Sequence, residues 1–224
     1  MKVLVSLLFG AFGAASAVVA GTKTMTSSAK DEGGDLNTSF SLPDGYIAVP
    51  FSMDVVLEPG SEPMTFNGTV TEIFAQIQSI KPDFTWVSSG SVSPSAGETS
   101  KFKRSKSKIL CNVPSFSVGL RWIILKGYDY LKTIHQDCKV DAGPKKCAML
   151  YCEIGTSIWM CNDNKTPISR DCGFIADYAL DIIADEECQS RGTMGPKAWT
   201  NGQEFDTDNF NVIAGGGGCD GYRF

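Results

Sequence analysis

Cysteine is missing from the first half of this chain: none precedes Cys111. Histidine is almost missing, with His135 alone among 224 residues. A zinc site of familiar spacing is therefore not expected, since no Cys-x-x-Cys accompanies that one imidazole. Ser-His-Asp chemistry would need His135, and no Gly-x-Ser-x-Gly elbow is present. His135 ends an amphipathic stretch, where a surface or packing role is the expectation rather than a general base. The four glycines at 215–218 precede Cys219 without a following Lys-Ser/Thr, so they are no phosphate loop and read as flexible backbone before a disulfide anchor. After residue 20 no apolar run approaches ~18 residues, so no membrane span is expected. Positive charge is also in deficit, at a formal net of −5. That argues against nucleic acid as a partner of the whole chain. The expectation is no cofactor, no metal and no enzyme.

What is present begins with "MKVLVSLLFGAFGAASAVVA" over residues 1–20. Lys2 supplies a positive start, residues 3–12 an apolar core, and small residues allow cleavage after Ala17 or Ala20. The pattern predicts a secretory signal and an extracellular protein. Eight cysteines follow: Cys111, Cys138, Cys147, Cys152, Cys161, Cys172, Cys188 and Cys219. An even count behind such a signal predicts four disulfides. Asn37, Asn67 and Asn164 each open an Asn-x-Ser/Thr triplet and are candidate glycosylation sites.

The chain divides into unlike halves. Residues 21–104 hold six cations and ten carboxylates, a net of 6 − 10 = −4, and no cysteine. They read as an acidic pro-segment or linker rather than an independent domain. Within them 45–57 has strand composition interrupted by Pro50. Ile73, Ile77 and Ile80 predict a short helix over 70–80. Residues 105–224 hold thirteen cations and fifteen carboxylates, a net of 13 − 15 = −2, and every cysteine. The junction reads "SSGSVSPSAGETSKFKRSKSK". Its five cations, Lys101, Lys103, Arg104, Lys106 and Lys108, have only Phe102 for aromatic company, which makes a poor nucleic-acid patch. Lys103-Arg104 is a dibasic pair in small polar sequence, which predicts cutting by a kexin-type protease after Arg104; a plain linker is the alternative.

In the second half, residues 117–136 carry a broad helical stripe of Leu120, Ile124, Leu131 and Ile134 with Trp122, Ile123 and Tyr128. "CAMLYCEIGTSIWMCNDN" reads as a hairpin turning at Gly155-Thr156, with Leu150, Cys152, Trp159 and Cys161 on one face and Met149, Tyr151, Ile158 and Met160 on the other. Both faces are apolar, which places the hairpin centrally. Residues 169–188 predict a second helix with Ser169 as N-cap. Asp177, Asp181 and Asp185 form an i, i+4 row read as a solvated acidic face. Asp206 and Asp208 lie in a turn without calcium-loop spacing. Trp122, Trp159 and Trp199 offer sugar-stacking faces, though packing takes precedence for those on core faces. Cys172 and Cys188 would lie roughly 24 Å apart on an unbroken helix, too far to bond with each other. Antiparallel helices would join Cys138 to Cys172, and a shared hairpin face would join Cys152 to Cys161. The expected fold is α+β: two amphipathic helices on a small antiparallel sheet, stapled by four disulfides.

The Cys-x4-Cys spacing, the run "IWMCNDN", the helix "IADYALDIIADEEC" and the strand "NVI" before a last cysteine resemble a group of small secreted fungal proteins. The resemblance spans residues 111–219, about half the chain, and its layout is similar to necrosis-inducing effectors and killer-toxin-like proteins. Cys138 and Cys172 lie outside the pattern, as one additional pair. The resemblance implies an extracellular effector or toxin rather than a known enzyme, and the leading expectation is a monomeric, non-catalytic secreted effector acting on a host protein or cell-surface component. The alternatives are a toxin against competing cells and a cell-wall glycan binder or glycan-active enzyme.

Overall fold

The computed structural model describes residues 42–43, 45–86, 106–114, 116–190 and 198–219. The signal stretch, Asn37, Lys103 and Arg104 lie outside these residues. In chain order the elements are β1 (Ile47–Val49), β2 (Ser52–Val55), β3 (Met64–Asn67), α1 (Val70–Ile80), β4 (Lys106–Cys111), β5 (Gly119–Leu120), α2 (Arg121–Lys132), β6 (Asp137–Val140), β7 (Lys146–Glu153), β8 (Thr156–Asn162), β9 (Ile168–Asp171), α3 (Cys172–Ala184), a 3-10 turn (Glu186–Cys188), β10 (Trp199–Thr200), β11 (Gly202–Asp206) and β12 (Phe210–Gly216).

The fold is mixed α and β, with more of each than the sequence predicts. Among the described residues three helices, not two, accompany a six-stranded sheet of order β1-β7-β8-β12-β11-β4. Its strands pair antiparallel except β1, which runs parallel to β7. Three two-stranded ladders, β2-β3, β5-β10 and β6-β9, flank it. The predicted hairpin is central, flanked by β1 and β12.

The described part of the cysteine-free segment, residues 45–86, is part of the same core. Phe51, Val55, Ile73, Ile77, Phe84 and Trp86 are buried together with Ile123, Leu131, Tyr151 and Ile182. Trp86 Nε1 donates to the Tyr130 hydroxyl at 3.3 Å, linking the end of this segment to α2. Helix α1 forms because Thr69 and Glu72 make a reciprocal capping box while Val70, Ile73 and Ile77 present one buried edge. Residues 45–86 thus fill one side of the second half's core.

The hairpin turns one residue earlier than expected. Ile154 and Gly155 both take positive φ, 46° and 67°, the geometry of a two-residue hairpin turn matched to strand twist. A bulge between Met149 and Tyr151 then shifts the register. Met149 therefore lies opposite Trp159, while Leu150 joins Tyr151, Ile158 and Met160 in the helix-side core. This exchanges Met149 and Leu150 relative to the expected faces.

Helix α3 starts at Cys172, not at 169. Asp171 is its N-cap, with its side chain accepting from Phe174 N at 2.8 Å. Ser169 pairs in β9 with Lys139 instead. The tetraglycine is not loose backbone: Gly215 and Gly216 complete β12. A Cβ on Gly215 would strike the Phe116 ring, and one on Gly216 would strike the Val118 carbonyl. Glycine is what lets segment 116–119 lie flat on the strand.

Four disulfides join Cys111–Cys188, Cys138–Cys172, Cys147–Cys161 and Cys152–Cys219. Cys138 and Cys172 meet because β6 and β9 pair antiparallel at the ends of α2 and α3. The expected Cys152–Cys161 bridge does not form. Cys161 lies directly opposite Cys147 in the ladder, and Cys152 opposite Ser157. Cys152 is left to hold the strand end beyond Gly218 through Cys219.

A candidate recognition cleft

The large sheet has two unlike faces. One carries the helices and the main core. Charge is buried beneath α3 on that side. Lys106 Nζ pairs with Asp181 and lies 3.5 Å from Glu204 Oε2, with Nζ 4.7 Å from the Tyr178 ring centroid. Lys132 Nζ reaches Asp177 Oδ1 at 3.1 Å. The Tyr178 hydroxyl donates to Asp206 Oδ2 at 2.5 Å. The row expected to be a solvated acidic face is thus divided. Asp177 and Asp181 are ion-paired, and Asp185 caps the 3-10 turn by accepting from Glu187 N at 2.8 Å. A cation on a neighbouring strand or helix neutralises each of the first two, which periodicity along a single helix does not reveal. The cluster joins α3 to β4 and β11 and is internally satisfied.

The second face carries Cys147, Trp159, Cys161 and Ile213, covered by Leu42, Val113 and Phe116. At its edge lies a polar group set into the sheet. Asn211 Nδ2 donates to the Tyr46 hydroxyl at 3.0 Å and to Asp163 Oδ2 at 2.9 Å; Tyr46 donates to the same oxygen at 3.0 Å. Gln203 Nε2 donates to Asn211 Oδ1 at 2.9 Å. Burial, with the Asp163 charge next in weight, pushes the Tyr46 phenol up to about 12. The group holds Asp163 in place by two donors on one oxygen.

The "CNDN" run explains this placement. Asn162, fully buried, donates from Nδ2 to the carbonyls of Asp141 and Thr166, and its Oδ1 accepts from Asn164 N. Asn164 Nδ2 donates to the carbonyls of Asp208 and Asn209, tying the loop to the β11–β12 turn. Asp206 Oδ1 accepts from Asp208 N at 2.7 Å, which shapes that turn. Side-chain amides do here what a longer ladder would do elsewhere.

Beside Asp163 opens a shallow cleft of about 380 Å³, lined by Lys108, Leu110, Phe205, Asn209 and Phe210 among others. Lys108 and Phe205 are direct partners across β4 and β11. Phe205 is half-buried and Lys108 exposed. No ion pair links Lys108 to any described residue. A second hollow of about 280 Å³ between β2, β6 and β9 is different. Its Asp54 and Lys139 pair at 2.9 Å, and Ser169 donates to Asp137 at 2.7 Å, so its polar groups already have partners. The first cleft retains polar groups for a ligand.

The other residues singled out by sequence fall elsewhere. His135 is exposed in the turn between α2 and β6. Trp159 is buried, with Nε1 donating to Ser157 Oγ at 2.8 Å, and Trp199 is half-buried in β10. Trp122 is exposed beside Leu125. Asn67 is exposed at the end of β3, whereas Asn164 is engaged by the β11–β12 turn. Cys111, Asp185 and Cys188 come close together, but both sulfurs are in one disulfide and offer no thiolate to a metal. Among the described residues no helix is long and apolar enough to cross a membrane. Sequence reading does not single out Tyr46, Asp163, Phe205 or Asn211 and takes Lys108 only as one of the junction cations; Asn-Asp-Asn after a strand is the one hint of the site.

No family model, no curated protein and no solved structure matches this chain.

Proposed function

We propose that this chain is a secreted, non-catalytic recognition protein of effector type, meeting a host cell-surface component through the Lys108–Asp163–Phe205 cleft. The observation that carries the reading is the cleft itself: Lys108 without an ionic partner among the described residues and a carboxylate braced by Tyr46 and Asn211. The signal-like start, the four disulfides and the resemblance to fungal necrosis-inducing effectors support it. Pre-organised side chains on a cross-linked sheet suit binding, because little ordering remains to oppose association. The Cys147–Cys161 bridge lies on the same face as the cleft.

Maturation completes the proposal. A kexin-type protease cuts after Arg104, two residues before β4 begins. The test is infiltration of the purified, oxidised protein into host tissue. A host response that Phe205→Ala abolishes is the expected result. Absence of any response, with unchanged colonisation after deletion of the gene, contradicts the reading. A growth-inhibition halo on competing cells would assign the chain to the toxin class instead.

A further inference from the structure

The charges buried under α3 satisfy one another, and nothing in the structure says what covers the exposed Trp122–Leu125 edge. The cleft carries more, and its ligand class is inferred on the footing of the recognition role proposed for it.

Its lining combines three chemistries. Phe205 and Leu110 give an apolar floor, Lys108 a cation, and Asp163 an anion. Lys108 and Asp163 offset one another, and the other lining carboxylate, Asp206, is already engaged by the Tyr178 hydroxyl and Asp208 N, so a strongly charged ligand of either sign meets a like-signed group at close range. Asp163 Oδ2 is occupied by two donors, whereas nothing among the described residues donates to Oδ1. A ligand matching all three must offer an apolar face to an aromatic ring, hydroxyl donors to a fixed carboxylate, and hydroxyl acceptors to an ammonium. A pyranose does this: its axial C–H bonds form an apolar face, and each hydroxyl both donates and accepts. The cleft is open and about 380 Å³, which suits a segment of a longer chain rather than an enclosed small molecule. We propose that the cleft binds a neutral polysaccharide of a cell surface, with Phe205 as the stacking platform, Asp163 as hydroxyl acceptor and Lys108 as donor. No bond is made or broken.

The experiment is amide-shift mapping by NMR of the full oxidised protein. The probes are neutral hexasaccharides of glucose (β-1,3 and β-1,4) and of N-acetylglucosamine, with oligogalacturonate as the anionic control. The expected result is that at least one neutral probe shifts residues 107–110, 163 and 205–210. Phe205→Ala and Lys108→Gln each weaken that binding about ten-fold or more, while their spectra elsewhere overlay the parent. Lys126→Ala, in an exposed pair with Glu153, leaves it unchanged. No shift with any neutral probe overturns the inference. So do shifts centred on Trp122 and Leu125, or binding of the anionic probe alone. If neutral probes fail yet Phe205→Ala still abolishes attachment to host cells, the recognition reading stands and the glycan assignment falls. If both fail, both fall.

Discussion

Lys106 Nζ stands 3.5 Å from Glu204 Oε2, and the Glu204 side chain is only 3% exposed. One of the five junction cations is therefore structural: it neutralises a carboxylate that the β-sheet buries. Removing it takes a neighbouring cation away from that buried carboxylate and from Asp181. Lys106→Met is expected to destabilise by about 3–5 kcal/mol, read as a lowered urea midpoint. Lys106→Met combined with Glu204→Leu should recover much of the loss. Equal destabilisation by the single and double variants would contradict the pairing.

Residues 45–86 of the cysteine-free half share the core, and this changes what a cut at Arg104 does. β1 pairs with β7, and Ile73, Phe84 and Trp86 pack among residues of the second half. No disulfide reaches them, because no cysteine precedes Cys111. The cut chain is expected to remain one particle by native mass spectrometry and to separate into two polypeptides in denaturing gels without reductant. Loss of the N-terminal piece under native conditions would refute this.

The four bridges differ in accessibility. Cys138, Cys172, Cys147 and Cys161 are all fully buried, whereas Cys152 and Cys219 are both partly exposed. A thiolate reductant must reach a sulfur to attack it. Limited reduction followed by alkylation and peptide mapping should label Cys152 and Cys219 first. First labelling at Cys147 or Cys161 would contradict their burial.

Tyrosine titration reads both faces of the sheet. Tyr46 is pushed up to about 12, by burial first and then by Asp163. Burial, as the largest cause, also raises Tyr130 and Tyr151. Unfolded tyrosines ionise near ~10. The folded state therefore holds protons that the unfolded state has released, so the contribution is complete below pH ~10 and declines as pH rises toward ~12. Tyrosinate absorbance should show at least three of the six tyrosines ionising late, and Tyr46→Phe should remove one. Six groups titrating together near ~10 in the folded protein would contradict this.

Glycan attachment should discriminate between two sequons. Asn67 is exposed, while both hydrogens of the Asn164 amide are used by Asp208 and Asn209 carbonyls. A sugar on Asn164 would replace one of them. Mass mapping of the protein expressed through a eukaryotic secretory pathway is expected to find occupancy at Asn67 and little at Asn164.

The parts of this fold legible in sequence are those with a local cause. Ile73 and Ile77 mark α1 because a helix repeats every few residues, and two strand-like runs about a glycine turn mark the β7–β8 hairpin. Cys138–Cys172 followed from where two helices end. What escaped depends on register. One bulged residue at Leu150 and a turn at Ile154-Gly155 moved Cys161 opposite Cys147 rather than Cys152. Lys106 looked like part of a soluble basic run because its carboxylates lie 75 and 98 residues further on. The cleft escaped for the same reason: Lys108, Asp163 and Phe205 are neighbours only once β4, β8 and β11 are in place. Single residues of unremarkable type carry no periodic signal.

The most direct test of cleft-mediated recognition is attachment of the labelled, oxidised protein to intact host cells, compared with Phe205→Ala and Lys108→Gln. Saturable attachment is predicted, with each substitution reducing it about ten-fold while disulfides and spectra stay unchanged. Attachment equal to the parent in both variants would contradict it.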